Sequence, residues 1–197
     1  RQKLAELLSR LDIPHPVLVV GSSQGGSIGA CFAAENPGRV KKLALLAPFF
    51  DDFAGSRGVL ASLLRSPLVG ELLLRLAGDD KFIDLSDSIV SDDMRAALEP
   101  EVANQFRFGG KRRAILANLR GDALQDATSC YDSVKEQGIP TLLTWGTLDK
   151  KIPADSMQRL RKLLPGIEYH DIERAGHLAH YESPERINQL LIRFLTR

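Results

Sequence analysis

Cysteine is nearly absent from the 197 residues, which hold only Cys31 and Cys130. Their positions form no paired motif, so neither a disulfide framework nor a zinc knuckle is expected. An excess of one charge is missing too. Lys plus Arg number 26 against 25 Asp plus Glu, a formal net charge of +1. That balance leaves no electrostatic footprint for nucleic acid or an anionic membrane. No apolar run reaches the roughly 18 residues needed to cross a bilayer. The longest candidate, Val59 to Leu76, is broken by Arg65, Pro67, Glu71 and Arg75. The chain opens on Arg1 without a signal-peptide pattern, so a cytoplasmic placement is the expectation, with the start of the reading frame truncated or trimmed. Internal repeats and low-complexity tracts are also lacking. What remains, 44% hydrophobic and 26% charged residues, is ordinary globular composition. It suffices for one domain with a sizeable core, or one domain with an insertion.

Hydrophobic spacing divides the chain. Leu4, Leu7, Leu8 and Leu11 fall at helical intervals over 1–12. Val17-Leu18-Val19-Val20, ending at Gly21, is an unbroken apolar run that suits a strand buried on both faces. Small residues from Gly25 to Ala34 lead into a helix closed by Asn36-Pro37-Gly38. Further strands are expected over 42–47, 141–145 and 167–172. Met157, Leu160, Leu163 and Leu164 share a helix face ended by Pro165-Gly166. The last helix has Ser183 as N-cap, Pro184 at its first position, and a stripe of Ile187, Leu190, Leu191, Phe194 and Leu195. Strands alternating with helices imply an α/β fold, a mostly parallel sheet covered by helices on both faces. Residues 49–122 break the rhythm. So long a stretch is not structureless inside a compact domain, and it reads as a mostly helical insertion dividing a core of 1–48 and 123–197.

Gly21-Ser22-Ser23-Gln24-Gly25 is G-x-S-x-G placed between a strand and a helix, the context that gives the pattern meaning. A nucleophile on so sharp a turn strains its backbone, and the chain approaches itself closely on either side. Gly21 and Gly25 are therefore expected to be sterically required. The turn presents the Ser23 hydroxyl and aims the Gln24 N–H at a developing oxyanion.

A serine hydroxyl needs a base. Among four histidines, His15 lies between prolines and His170 in a strand, which suits structural or surface roles. His177 follows Ala175-Gly176 just after the last strand and is the candidate, with His180 three residues on as a structural group. The base needs a carboxylate to hold its tautomer. Asp149 stands in Trp145-Gly146-Thr147-Leu148-Asp149, at the end of the third strand. Asp155 and Asp171 fall inside elements, while Asp122 and Asp126 offer an alternative position for the acid.

These motifs together resemble the carboxyl-terminal three quarters of an α/β-hydrolase-fold serine hydrolase. The resembling parts are Gly21-Ser22-Ser23-Gln24-Gly25-Gly26, Trp145 to Asp149 with Pro153, and Ala175 to His180 with Ser183-Pro184-Glu185. The chain order Ser23, Asp149, His177 is the one that family uses. The resemblance implies acyl hydrolysis through an acyl-enzyme on a small-molecule substrate, with no cofactor and no metal. It also makes the 49–122 insertion a cap over the substrate pocket. Relatives carry four more strands before the first helix, and a loop among them that gives a second oxyanion donor; neither precedes Ser23 here. That leaves the first strand as an exposed sheet edge and the 197 residues, taken alone, poorly soluble and weakly active. Leu178 stands where relatives that cleave carbon–carbon bonds often have tryptophan, which disfavours that subclass. Dehalogenases and epoxide hydrolases with aspartate at the position of Ser23 are set aside.

The expectation is a carboxylic-ester hydrolase with Ser23 as nucleophile, His177 as base, Asp149 as its orienter and Gln24 in the oxyanion hole. The leucines from Leu60 to Leu76 suggest a hydrophobic acyl or aromatic substrate, with Phe49 and Phe50 lining the pocket. A peptidase, amidase or acyltransferase would use the same triad, and a small-molecule receptor on this fold is the reading from another class. Oligomeric state is left open.

Overall fold

The computed structural model describes residues 2–51, 59–78, 84–121 and 126–197. Their strands are β1 (Val17–Ser22), β2 (Val40–Leu46), β3 (Thr141–Gly146) and β4 (Glu168–Ile172). The helices, in chain order, are α1 (Gln2–Arg10), α2 (Gln24–Glu35), α3 (Val59–Arg65), α4 (Val69–Ala77), α5 (Asp92–Gln105) and α6 (Lys111–Arg120), then α7 (Thr128–Glu136), α8 (Ala154–Leu163), α9 (Ala179–Glu182) and α10 (Pro184–Thr196). The sheet runs β1-β2-β3-β4, and each neighbouring pair is parallel. Between β2 and β3 the described residues form helices and turns with no strand.

Alternation along β2 and β3 builds two cores from one sheet. Leu43, Leu45 and Leu143 face a cluster with Phe32 of α2, Tyr131 and Val134 of α7, and Met157 and Leu160 of α8. Ala44, Leu46 and Leu142 face the other way, onto Ile187, Leu190 and Phe194 of α10. Each of these large α10 side chains contributes about 1.5–3 kcal/mol by leaving water. Lys42, on the same face, donates to the Phe194 carbonyl at 2.7 Å and satisfies an end group of that helix.

β1 departs from the expectation of a strand buried on both faces. It stands at the sheet edge as expected, but Leu18 and Val20 are 46% and 47% exposed. Val17 and Val19 pack into the first cluster, whereas the α10 cluster gathers side chains of β2, β3 and β4 and none of β1. Ser183 also differs: it sits at the N-cap of α10 without a side-chain capping bond.

The two cysteines correct a second expectation. Cys31 of α2 and Cys130 of α7 are joined in a disulfide, their Cα atoms 4.7 Å apart across 99 residues of sequence. Spacing along the chain could not show it, because α2 and α7 become neighbours only by packing on the same sheet face.

Candidate active site

Parallel strands end on one common edge, and the loops that leave it can converge. Ser23 follows β1, Asp149 follows β3 and His177 follows β4. Ser23 has φ 50° and ψ −122°, a positive-φ conformation that costs a non-glycine residue energy and marks a backbone held by its surroundings. Three hydrogen bonds hold it. Its N–H donates to the Leu46 carbonyl at 2.9 Å, and its carbonyl accepts from Gly26 and Phe49 N–H, each at 3.0 Å. A Cβ on Gly21 would lie 2.4 Å from the Gly25 carbonyl oxygen, so only glycine fits there. Gly25 differs from expectation, since a Cβ there meets nothing within 4 Å. The crowding falls on Gly26 instead, where a Cβ would stand 2.6 Å from the Pro48 side chain. Gln24 is the first residue of α2, at the positive end of the helix dipole.

The loops after β3 and β4 are stitched together. Thr147 N–H donates to the Ile172 carbonyl at 3.1 Å and Leu148 N–H to the Ala175 carbonyl at 2.9 Å. This brings His177 Nδ1 to 2.9 Å from Asp149 Oδ2. The other Asp149 oxygen accepts from Lys151 N–H at 2.7 Å and Ile152 N–H at 2.9 Å. With Nδ1–H donating to Asp149, the lone pair of the ring lies on Nε2.

The competing groups are engaged elsewhere. Asp155 pairs with Arg159 and Asp171 accepts from the Tyr169 hydroxyl, both on exposed side chains. Asp126 accepts from Thr128 N–H at 2.7 Å, at the start of α7. Asp122 lies outside the described residues. His15 accepts from Arg39 at 3.0 Å on the surface, and His170 stands 3.0 Å from Glu168. His180 keeps a buried Nδ1 with no partner among the described residues. Burial, and then the nearby His177, hold its pKa below the ordinary imidazole value.

Phe49 and Phe50, expected to line the pocket, are core residues at 4% and 5% exposure. The Phe50 ring meets Tyr131 edge-on at 5.5 Å, and the Phe49 carbonyl accepts from the Ser27 and Tyr131 hydroxyls. A cavity of about 450 Å³ is lined by Asp149 and Gly176 together with Ser88, Ile89 and Arg95 of the β2–β3 segment. Ser23, Gln24 and His177 do not line it, nor does either phenylalanine. Among the described residues no cluster of His, Cys, Asp and Glu could hold a metal ion, and no helix is long and apolar enough to cross a membrane. Sequence reasoning did not single out Glu182, which accepts from backbone N–H groups on both sides of the site. Two of its donors lie about ninety residues away, beyond any local pattern.

The family model of the alpha/beta hydrolase fold matches residues 2–184, and the chain belongs to that family. Among curated relatives, 2-hydroxy-6-oxononadienedioate/2-hydroxy-6-oxononatrienedioate hydrolases are similar to it. The one from Paraburkholderia xenovorans (strain LB400) is 28% identical over 98% of this chain, and the one from Cupriavidus pinatubonensis (strain JMP 134 / LMG 1197) is 30% identical over 98%. The chain spans 66% of the length of each. Among solved structures, the enol-lactonase from Burkholderia xenovorans LB400 superposes with a TM-score of 0.77 at 19% identity, over 99% of this chain and 71% of its own. That likeness shows the shared fold.

Proposed function

We propose that this chain carries the catalytic residues of a serine hydrolase acting on carboxylic esters of hydrophobic acyl or aromatic groups. The observation that supports it most is the buried His177–Asp149 pair on the same sheet edge as the strained Ser23 turn. His177 Nε2 takes the Ser23 hydroxyl proton as Oγ bonds to the acyl carbon. The oxyanion that forms is met by the Gln24 N–H at the head of α2. The bond to the alcohol then breaks, and His177 returns the proton to the leaving oxygen. Water repeats the cycle on the acyl-enzyme, releasing the acid and restoring Ser23. Asp149 keeps the imidazole in the required tautomer and stabilises its cation. The β2–β3 segment acts as a cap over this edge of the sheet.

A second reading comes from the relatives' names. A 2-hydroxy-6-oxononadienedioate contains no ester or amide, so its hydrolysis must break a carbon–carbon bond next to the ketone. Their 28% and 30% identity favours that chemistry here, whereas Leu178 in place of tryptophan disfavours it. The experiment is turnover of p-nitrophenyl esters of graded length beside a 2-hydroxy-6-oxo-dienoate, with Ser23→Ala as the control. Ester turnover lost in Ser23→Ala is the expected result. Turnover of the dienoate alone would select the second reading, and equal rates with Ser23→Ala would overturn both.

A further inference from the structure

One carboxylate joins the loop of His177 to the β2–β3 segment. Glu182 Oε2 accepts from Gly176 N–H at 2.6 Å, one residue before His177. Its Oε1 accepts from Val90 N–H at 2.7 Å and Ser91 N–H at 3.1 Å. Ser91 is the N-cap of α5, so the Glu182 charge also sits at the positive end of a 14-residue helix. On the other side of His177, Leu178 N–H donates to the Ser88 carbonyl at 2.9 Å. The fit leaves no slack, since a Cβ on Gly176 would lie 2.8 Å from that same Ser88 oxygen. Both peptide neighbours of His177 are therefore anchored to residues 88–91.

We propose that Glu182 is a positioning residue for His177, fixing the loop of the base by tying Gly176 to the first residues of α5. The inference rests on the serine-hydrolase reading. Three backbone donors converge on two oxygens, which only a carboxylate can accept together. Glutamine offers one oxygen and turns an NH2 donor toward the remaining N–H, so one of the two anchors must open. The imidazole then loses part of its fixed position. Displacements of about an ångström in a catalytic group cost up to about a hundredfold in rate.

The test is phosphonylation of Ser23 by a fluorophosphonate ester, followed as kinact and KI, with melting temperature measured in parallel. In Glu182→Gln, kinact should fall on the order of ten- to a hundredfold, by a larger factor than KI rises, with the melting temperature nearly unchanged. Should Glu182→Gln melt early, Glu182→Asp decides. It keeps the charge but shortens the reach, and should lose kinact less severely at the wild-type melting temperature. Asp51→Asn is the control. Asp51 binds Ser156 and Arg159 of α8, a separate tie between the β2–β3 segment and the core. Its kinact should match wild type. An unchanged kinact in Glu182→Gln or in the well-folded Glu182→Asp overturns the inference, as does an equal loss in Asp51→Asn. Absence of Ser23 labelling in the wild type would instead overturn the serine-hydrolase reading.

Discussion

His177 Nδ1 and Asp149 Oδ2 lie 2.9 Å apart across 28 residues of sequence, with side chains only 8% and 0% exposed. So dry a pair is costly unless each atom is satisfied, and Asp149 meets that demand with two backbone N–H groups besides the imidazole.

Asp149→Asn is expected to lower kcat by about 10⁴-fold, because the amide favours the wrong imidazole tautomer. Combining it with His177→Ala should add far less than the His177→Ala loss alone, since the two act as one unit. Steady-state rates on a p-nitrophenyl ester check this. Fully additive losses, or a near-normal Asp149→Asn beside an inactive Asp122→Asn, would remove Asp149 from the role.

The Cys31–Cys130 bond closes a loop of 99 residues, which restricts the unfolded chain more than the folded one. Its loss should lower stability by about 2–4 kcal/mol. Urea midpoints of the oxidised protein, the protein in dithiothreitol and Cys130→Ala measure it. In a reducing cytosol the pair stands as two thiols, so the dithiothreitol midpoint is the one that applies there. Equal midpoints would show that the bond does not form.

His180 links stability to pH. Burial, then the charge of His177, lowers its folded pKa below the unfolded 6.5. Below 6.5 the unfolded chain therefore binds the proton first, so stability rises with pH in that range. As pH falls from 7 toward 5 the protein should lose stability, and His180→Gln should lose less over the same interval. Parallel slopes in the two proteins would contradict the assignment.

Leu18 and Val20 face outward from an edge strand, a geometry that invites pairing with another chain. Leu18→Lys with Val20→Lys should reduce concentration-dependent light scattering of the 197-residue chain and leave its melting temperature within a few degrees. Scattering unchanged by the substitutions would place association elsewhere.

How much of this was legible in the residues follows from the range of each signal. The apolar runs at Val17–Val20 and Thr141–Trp145 and the stripe of α10 are local patterns, and all three became the expected elements within a few residues. The Ser23 turn was readable because a strand, a serine between glycines and a run of small residues are adjacent in sequence. Its steric detail was less so, since Gly26 rather than Gly25 meets Pro48, a contact that exists only once β2 lies beside β1. Asp149 and His177 could be nominated from their places after strands. Their 2.9 Å approach depends on the bonds that stitch the β3 and β4 loops together.

The sequence by itself determined the parallel α/β layering, the strained turn of Ser23 and the candidate base and acid, because each follows from spacing within one or two elements. Tertiary structure alone decided the Cys31–Cys130 pair, the burial of Phe49 and Phe50 in the core and the three-donor grip of Glu182. Each of these is a meeting of segments that lie far apart along the chain or on separate elements. Side-chain periodicity reports which face an element buries, but not which distant partner that face will meet.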